Sequence, residues 1–257
     1  MTKKYHFITG LPRSGSTLLS AILKQNPRFH ASITDPLATM TKGVIETSQS
    51  GPGIKYEVPI SRRMNTVKAM FDGFYQEIEK EVIFNTNRAW TLLTPQLDVI
   101  FPSSRLIVCV RDIKWVLDSF ESMHRKNPMS TNTVTGGLEG TVYSRMDALM
   151  TNEGIVGFPY IGIKQAITGS EKHKLMLIEY DQLCKNPKLI IKSLYAFINE
   201  PYFEHDFNNV EASWDKYDSE IGISLHKVRK TIEYKERKTI LPPDLIMKYS
   251  NMEVWRE

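Results

Sequence analysis

Short apolar runs separated by amphipathic stretches set the pattern of this chain. Five runs have the length and near-continuous apolar character of strands buried on both faces: Tyr5–Thr9, Phe29–Ile33, Val82–Asn85, Arg105–Val110 and Lys174–Glu179. Helical periodicity fills the intervals. Val67, Met70, Phe71, Phe74 and Ile78 predict a helix over 64–79, and Ile113, Val116, Leu117, Phe120 and Met123 predict one beginning at 113. Asn186-Pro187 reads as a cap followed by proline in the first turn, with Ile190, Leu194, Phe197 and Ile198 on one side. Alternating strands and helices predict an α/β protein with a central parallel sheet flanked by helices, expected here as one domain over 1–257.

Two segments interrupt the alternation. Gly51-Pro52-Gly53, inside Ser50–Pro59, reads as a turn cluster between helices. Arg125–Gly140 is rich in Asn, Thr and Gly, and polar loops of that length are either substrate lids or plain surface loops.

Chemistry first shows at the end of the opening strand. There Gly10-Leu11-Pro12-Arg13-Ser14-Gly15-Ser16-Thr17 leads into an amphipathic segment with Leu18, Leu19, Ile22 and Leu23. Strand, tight loop and helix is the geometry in which backbone N–H groups and a helix N-terminus converge on an anion. Gly10 and Gly15 stand where a P-loop has its glycines, and Thr17 falls on its Ser/Thr position. The lysine position is occupied by Ser16, and the loop's one cation is Arg13. The loop therefore suits a phosphate-like group but lacks the lysine that grips a nucleoside triphosphate.

Composition narrows the partners. With 33 basic and 29 acidic residues interspersed and a net charge of +4, no nucleic-acid stripe is present, and a local cationic pocket is the simpler expectation. Cys109 and Cys184 are too few for a disulfide framework, and Cys109 sits inside an apolar run as a buried thiol would. No apolar h-region follows Met1-Thr2-Lys3-Lys4, and no run approaches the roughly 20 residues of a membrane span. The expectation is a cytoplasmic protein, monomer or homodimer, acting on a small molecule, without nucleic-acid or membrane partners. The six histidines show no metal-binding spacing, so no metal is expected.

A second cationic turn follows the fourth strand. Arg111 lies at its C-terminal end, at the edge where α/β sheets bind ligands, and Ser119 sits two turns along the next helix. The pair could grip a phosphate, or Arg111 could simply pair with Asp112 while Ser119 is solvated.

The loop Gly10–Leu19, coupled to Arg111 and Ser119, resembles the sulfotransferases that use 3′-phosphoadenosine 5′-phosphosulfate. The similarity runs from about residue 5 to 200, and its flavour is that of bacterial small-molecule enzymes, cyanobacterial ones acting on guanidinium toxins of the saxitoxin group included. The resemblance implies a sulfotransferase-type, P-loop-like sheet. It implies that Arg13, Ser14, Gly15, Ser16 and Thr17 hold the 5′-phosphosulfate, while Arg111 and Ser119 hold the 3′-phosphate. Tyr180, in Ile178-Glu179-Tyr180-Asp181-Gln182-Leu183, matches a family tyrosine near the adenine. Arg88, in Asn85-Thr86-Asn87-Arg88, stands where the family often has a lysine beside the transferring group. The late basic segment Leu225–Lys230, with Lys227 and Arg229, either closes over the 3′-phosphate or is a solvated helix face. Trp214 and Trp255 read as packing rather than adenine stacking.

The implied reaction transfers a sulfuryl group in line to a hydroxyl or amine, with Arg13 and Arg88 as catalytic cations neutralising charge on the leaving oxygen. The base is less defined. The position where some relatives carry histidine is Trp90, and others use a carboxylate after the second strand, which points to Asp35; that residue could equally cap a helix starting at Pro36. His30 and His124 are reserves. The competing expectations are a P-loop small-molecule kinase, which needs a lysine at 16 and a magnesium-binding Asp at a strand end, and a catalytically inactive nucleotide-binding module.

Overall fold

The computed structural model describes residues 3–126, 140–221 and 226–256. Five parallel strands form one sheet: β1 (Lys4–Gly10), β2 (Phe29–Ala31), β3 (Val82–Thr86), β4 (Leu106–Val110) and β5 (Leu175–Glu179), in the order β2-β3-β1-β4-β5. All five expected runs are strands. The helices are α1 (Ser16–Leu23), α2 (Leu37–Thr47), α3 (Pro52–Glu57), α4 (Ile60–Phe74), α5 (Thr94–Ile100), α6 (Ile113–Lys126), α7 (Val142–Met150), α8 (Gly157–Thr168), α9 (Tyr180–Lys185), α10 (Pro187–Phe197), α11 (Asp215–Ile221) and α12 (Pro243–Lys248).

Pleating divides each central strand between two cores. Tyr5 and Phe7 of β1 and Leu106, Val108 and Val110 of β4 enter one cluster with Val67, Phe71, Trp90, Val116 and Leu117. Ile8, Ile107 and Cys109 enter the other with Leu19, Ile22 and Leu23 of α1 and Ile191 and Leu194 of α10. The strands are apolar throughout because both faces are covered. Burial pushes the Cys109 thiol up to about 12, so it is an inert packing group.

This division creates the site. The helix after β1 packs on one face and the helix after β4 on the other, although the strands are neighbours, with Gly10 beside Cys109. Opposite departures open a crevice at the carboxyl ends of the strands, where α/β sheets bind ligands.

Three local expectations are corrected. The helix expected over 64–79 runs Ile60–Phe74. It ends because Tyr75 turns inward to join a buried hydrogen-bond chain, and Ile78 N–H then closes a turn on the Tyr75 carbonyl (3.0 Å). The turn cluster at Ser50–Pro59 instead holds helix α3, started by an extended Gly51 and by Pro52, whose fixed φ suits a first turn. The third helix does start at Asn186-Pro187, but the Asn186 side chain donates to Gln182 Oε1 (3.3 Å) and caps nothing. Most of the loop expected as a lid, Arg125–Gly140, lies outside the described residues; Arg125 and Lys126 finish α6.

Gly10 fixes the first loop. Its φ is +118°, and a Cβ there would run into the backbone of Cys109. Gly10→Ala is therefore expected to destabilise the protein by at least about 2 kcal/mol in urea unfolding; a midpoint equal to that of the unsubstituted protein would show that β1 and β4 do not approach this closely.

Candidate active site

A cavity of about 530 Å³ opens over the carboxyl ends of β3, β1 and β4. Its floor is the loop after β1. The Ser14 hydroxyl, fully buried, bonds the carbonyls of Leu11 (2.5 Å) and Cys109 (2.9 Å), which fastens the loop to β4. Ser14 therefore stays out of the cavity lining, and the expectation that it holds a cofactor is corrected for its side chain: the hydroxyl is spent on the loop itself. Gly15, Ser16 and Thr17 do line the cavity. Gly15 is the N-cap of α1, with φ +93° and no side chain to occupy the first-turn N–H groups, which is how a helix start presents donors to an anion.

Arg13 adopts a left-handed conformation, φ +60°, and its Nε donates to Ser119 Oγ on α6 (3.1 Å). Arg111 donates from Nη1 to the Arg13 carbonyl (3.4 Å) and lies over the Tyr180 ring at 4.3 Å. Tyr180 also touches Gly15 so closely that a Cβ there would sit 2.8 Å from the ring. The tyrosine expected near an adenine is thus wedged between the loop after β1 and Arg111. Arg88 follows β3, and its backbone is tied down by Thr9, whose hydroxyl donates to the Arg88 carbonyl (3.2 Å).

All three guanidiniums are held below the usual arginine range, burial being the largest cause in each. For Arg13 the next cause is the charge of Arg111. Arg88 is exposed and lines the cavity. Arginine stays protonated regardless, so these are charges gathered against their own repulsion. Arg111 Nε is buried without a hydrogen-bond partner. A buried donor without a partner and several cations gathered in one concave site suit a polyanion.

The far wall comes from the C-terminal segment. Lys227, Arg229, Lys235 and Arg237 all line the cavity. Residues 226–229 are not helical, which removes the reading of this stretch as a solvated helix face; Leu225 lies outside the described residues. Arg237 stacks on Trp115 (5.5 Å) and reaches Asp118 (3.5 Å), while Thr239 Oγ1 and Ile240 N–H donate to Asp118 at 2.9 and 2.7 Å. Glu233 pairs with Lys235 (2.6 Å). Arg88, Arg111, Lys227 and Arg229 form no salt bridge among the described residues.

Sequence reasoning missed Arg237, which lies in a charge run, Lys235-Glu236-Arg237-Lys238, that resembles an ordinary solvated face. It also missed a contact between α11 and the segment after it. His226 lines the cavity, and its Nδ1 and backbone N–H meet the two oxygens of buried Asp218 at 2.6 and 3.0 Å. Eight residues separate the two, so no local periodicity announces them.

Asp35 lies elsewhere. Its carboxylate accepts from Ser32 and from the Tyr75 hydroxyl (3.0 Å); Tyr75 accepts from Asn85 Nδ2 (2.7 Å), and Trp90 Nε1 donates to Asn85 Oδ1 (2.7 Å). Asp35 does not line the cavity and does not cap α2, whose N-cap is Pro36 with no side-chain cap. The cap expectation is corrected, because the oxygens of Asp35 belong to a buried chain under β3, and the same chain occupies the carboxylate expected as the base. His30 and His124 are not lining residues either, and Trp214 and Trp255 are half-buried packing groups.

A family model described as the sulfotransferase family matches residues 6–204. Among solved structures, the sulfotransferase domain from the curacin biosynthetic pathway is 17% identical with a TM-score of 0.54, covering 79% of this chain and 76% of that one. The sulfotransferase from Alicyclobacillus acidocaldarius is 13% identical with a TM-score of 0.54, covering 88% of this chain and 98% of its own. At those identities the likeness concerns the fold. No curated protein matches the chain.

Burial raises the Asp35 pKa above its ordinary 3.8. The folded state then binds that proton more tightly than the unfolded chain, so this contribution to stability is complete below 3.8 and is lost as pH rises through the folded value. Asp35→Asn is accordingly expected to gain melting temperature relative to the unsubstituted protein more at pH 7 than at pH 4, with turnover retained. A loss of turnover of about 100-fold would return the carboxylate to the chemistry.

Proposed function

The chain belongs to the sulfotransferase family, and on that premise we propose that it takes 3′-phosphoadenosine 5′-phosphosulfate as donor and passes the sulfuryl group to a hydroxyl or amine of a small molecule. The observation that carries this reading is the meeting of Arg13, Arg88 and Arg111 in one cavity, at the ends of three adjacent strands. A donor with phosphate groups at both ends of a ribose satisfies two separated cationic subsites at once. The Gly15–Thr17 N–H groups and Arg88 serve the 5′-phosphosulfate, and Arg111, Ser119 and the Lys227–Arg229 segment serve the 3′-phosphate. The buried, partnerless Arg111 Nε is a donor of the kind that a 3′-phosphate takes up.

The residues present account for transfer without proton donation by arginine. Arg13 and Arg88 stabilise charge as the bond between sulfur and the bridging oxygen lengthens, a preorganised donor being worth roughly 3 kcal/mol of barrier. The kinase alternative finds less support. Ser16 stands in the lysine position, and Asp112, the acid at the end of β4, pairs with Lys114 (2.9 Å) and is not a lining residue.

Isothermal calorimetry tests the reading. Adenosine 3′,5′-bisphosphate is expected to bind tightly without magnesium and AMP much more weakly. Arg111→Ala should weaken the bisphosphate by roughly 2 kcal/mol, about 30-fold in Kd, with little effect on AMP. Equal affinity for the two nucleotides would refute a 3′-phosphate site.

A further inference from the structure

We propose that His226 is the base that takes the acceptor's proton, held in the required tautomer by Asp218. This rests on the donor assignment above and names a group that assignment leaves open. Among the described lining residues His226 is the one histidine, and one of its ring nitrogens is held by a buried carboxylate. The lining arginines and lysines are already cationic, and Glu233 is paired with Lys235. Burial raises the pKa of both Tyr180 and Cys184. None of the other five histidines lines the cavity.

The geometry around the ring assigns its nitrogens. A carboxylate only accepts, so the 2.6 Å contact puts the proton on Nδ1 and leaves the Nε2 lone pair free, with no partner among the described residues. Asp218 Oδ2 takes the backbone N–H of His226 at 3.0 Å, which fixes the carboxylate as well as the ring. Tyr217 stands edge-on to the imidazole at 5.1 Å.

The imidazole shares its cavity with both arginines assigned to the phosphosulfate, Arg13 and Arg88, and Tyr217, edge-on to the ring, lines the same cavity. In the step, the acceptor's O–H or N–H proton passes to Nε2 while its electron pair forms the bond to sulfur. The bond from sulfur to the bridging oxygen breaks, and that pair leaves on the 5′-phosphate of adenosine 3′,5′-bisphosphate. Asp218, a positioning residue, faces the imidazolium that forms, which later gives its proton to solvent.

Asp218→Asn makes a sharp test. Asparagine has one acceptor where the carboxylate has two. If its carbonyl keeps the His226 backbone N–H, its NH₂ faces Nδ1 and drives the ring proton to Nε2. Ring ¹⁵N NMR of the full chain with adenosine 3′,5′-bisphosphate at pH 8 is expected to show Nδ1–H for His226 and Nε2–H in Asp218→Asn. In parallel, bisphosphate release from the phosphosulfate donor is followed with phenol, ethanolamine or water as acceptor probes. His226→Ala should lose at least about 100-fold, bind the bisphosphate within about threefold of normal, and recover in part with added imidazole. An Nε2–H tautomer in the unsubstituted protein would overturn the proposal, as would equal release by the two proteins at any level. So would loss of bisphosphate binding in His226→Ala, which would mark the pair as a clamp on the cationic segment. A chain that binds no bisphosphate at all would instead bring down the donor assignment on which the base depends.

Discussion

Several guanidiniums converge on one rim of the sheet, two of them, Arg88 and Arg111, without a salt bridge among the described residues, and the rest of the site follows from that constraint. Like charges in a partly desolvated cleft repel and lose hydration together. The fold positions each arginine through contacts that include neutral groups. Arg13 is turned by its left-handed backbone toward Ser119, and Arg111 lies on the Tyr180 ring and against the Arg13 carbonyl. Arg88 is held by backbone bonding to Thr9. Arg88 and Arg111 carry charge without a salt bridge among the described residues, and an anionic donor would supply its counterpart.

The sheet makes the convergence possible. β1 lies between β3 and β4, so the residues just beyond three neighbouring strands share one edge. α1 and α6 leave that edge on opposite faces, and the cavity lies at the crevice this opens, with the loop after β1 as its floor. Two glycines serve this close approach: Gly10 lets β1 pass the Cys109 carbonyl, and Gly15 leaves room for Tyr180. Tyr180 thus links the loop after β1 to Arg111, so displacing the ring would disturb both.

Much of this was legible in the chain because its signals are local. Strands buried on both faces appear as apolar runs, and cations just past such runs must lie at the sheet's carboxyl edge, which is how Arg13, Arg88 and Arg111 stand out. Side-chain destinations were less legible. Ser14 looks like an anion ligand from its place in the loop, but its hydroxyl turns under to Cys109. Asp35 follows a strand as a base might, yet its oxygens join a chain through Tyr75 and Asn85 to Trp90 that only the folded packing of α4 against β3 creates. The wall carrying His226 and Arg237 is irregular backbone positioned by distant contacts, to Asp218 and Asp118, and such segments have no periodicity to read.

A structure of the chain with adenosine 3′,5′-bisphosphate bound tests the central claim most directly. The 5′-phosphate is expected at the N–H groups of Gly15–Thr17 and the 3′-phosphate between Arg111 and Ser119, with Arg111 Nε or its neighbouring nitrogens donating to it. A nucleotide that leaves its 3′-phosphate in solvent, or that lies outside the cleft between β1 and β4, would contradict the account.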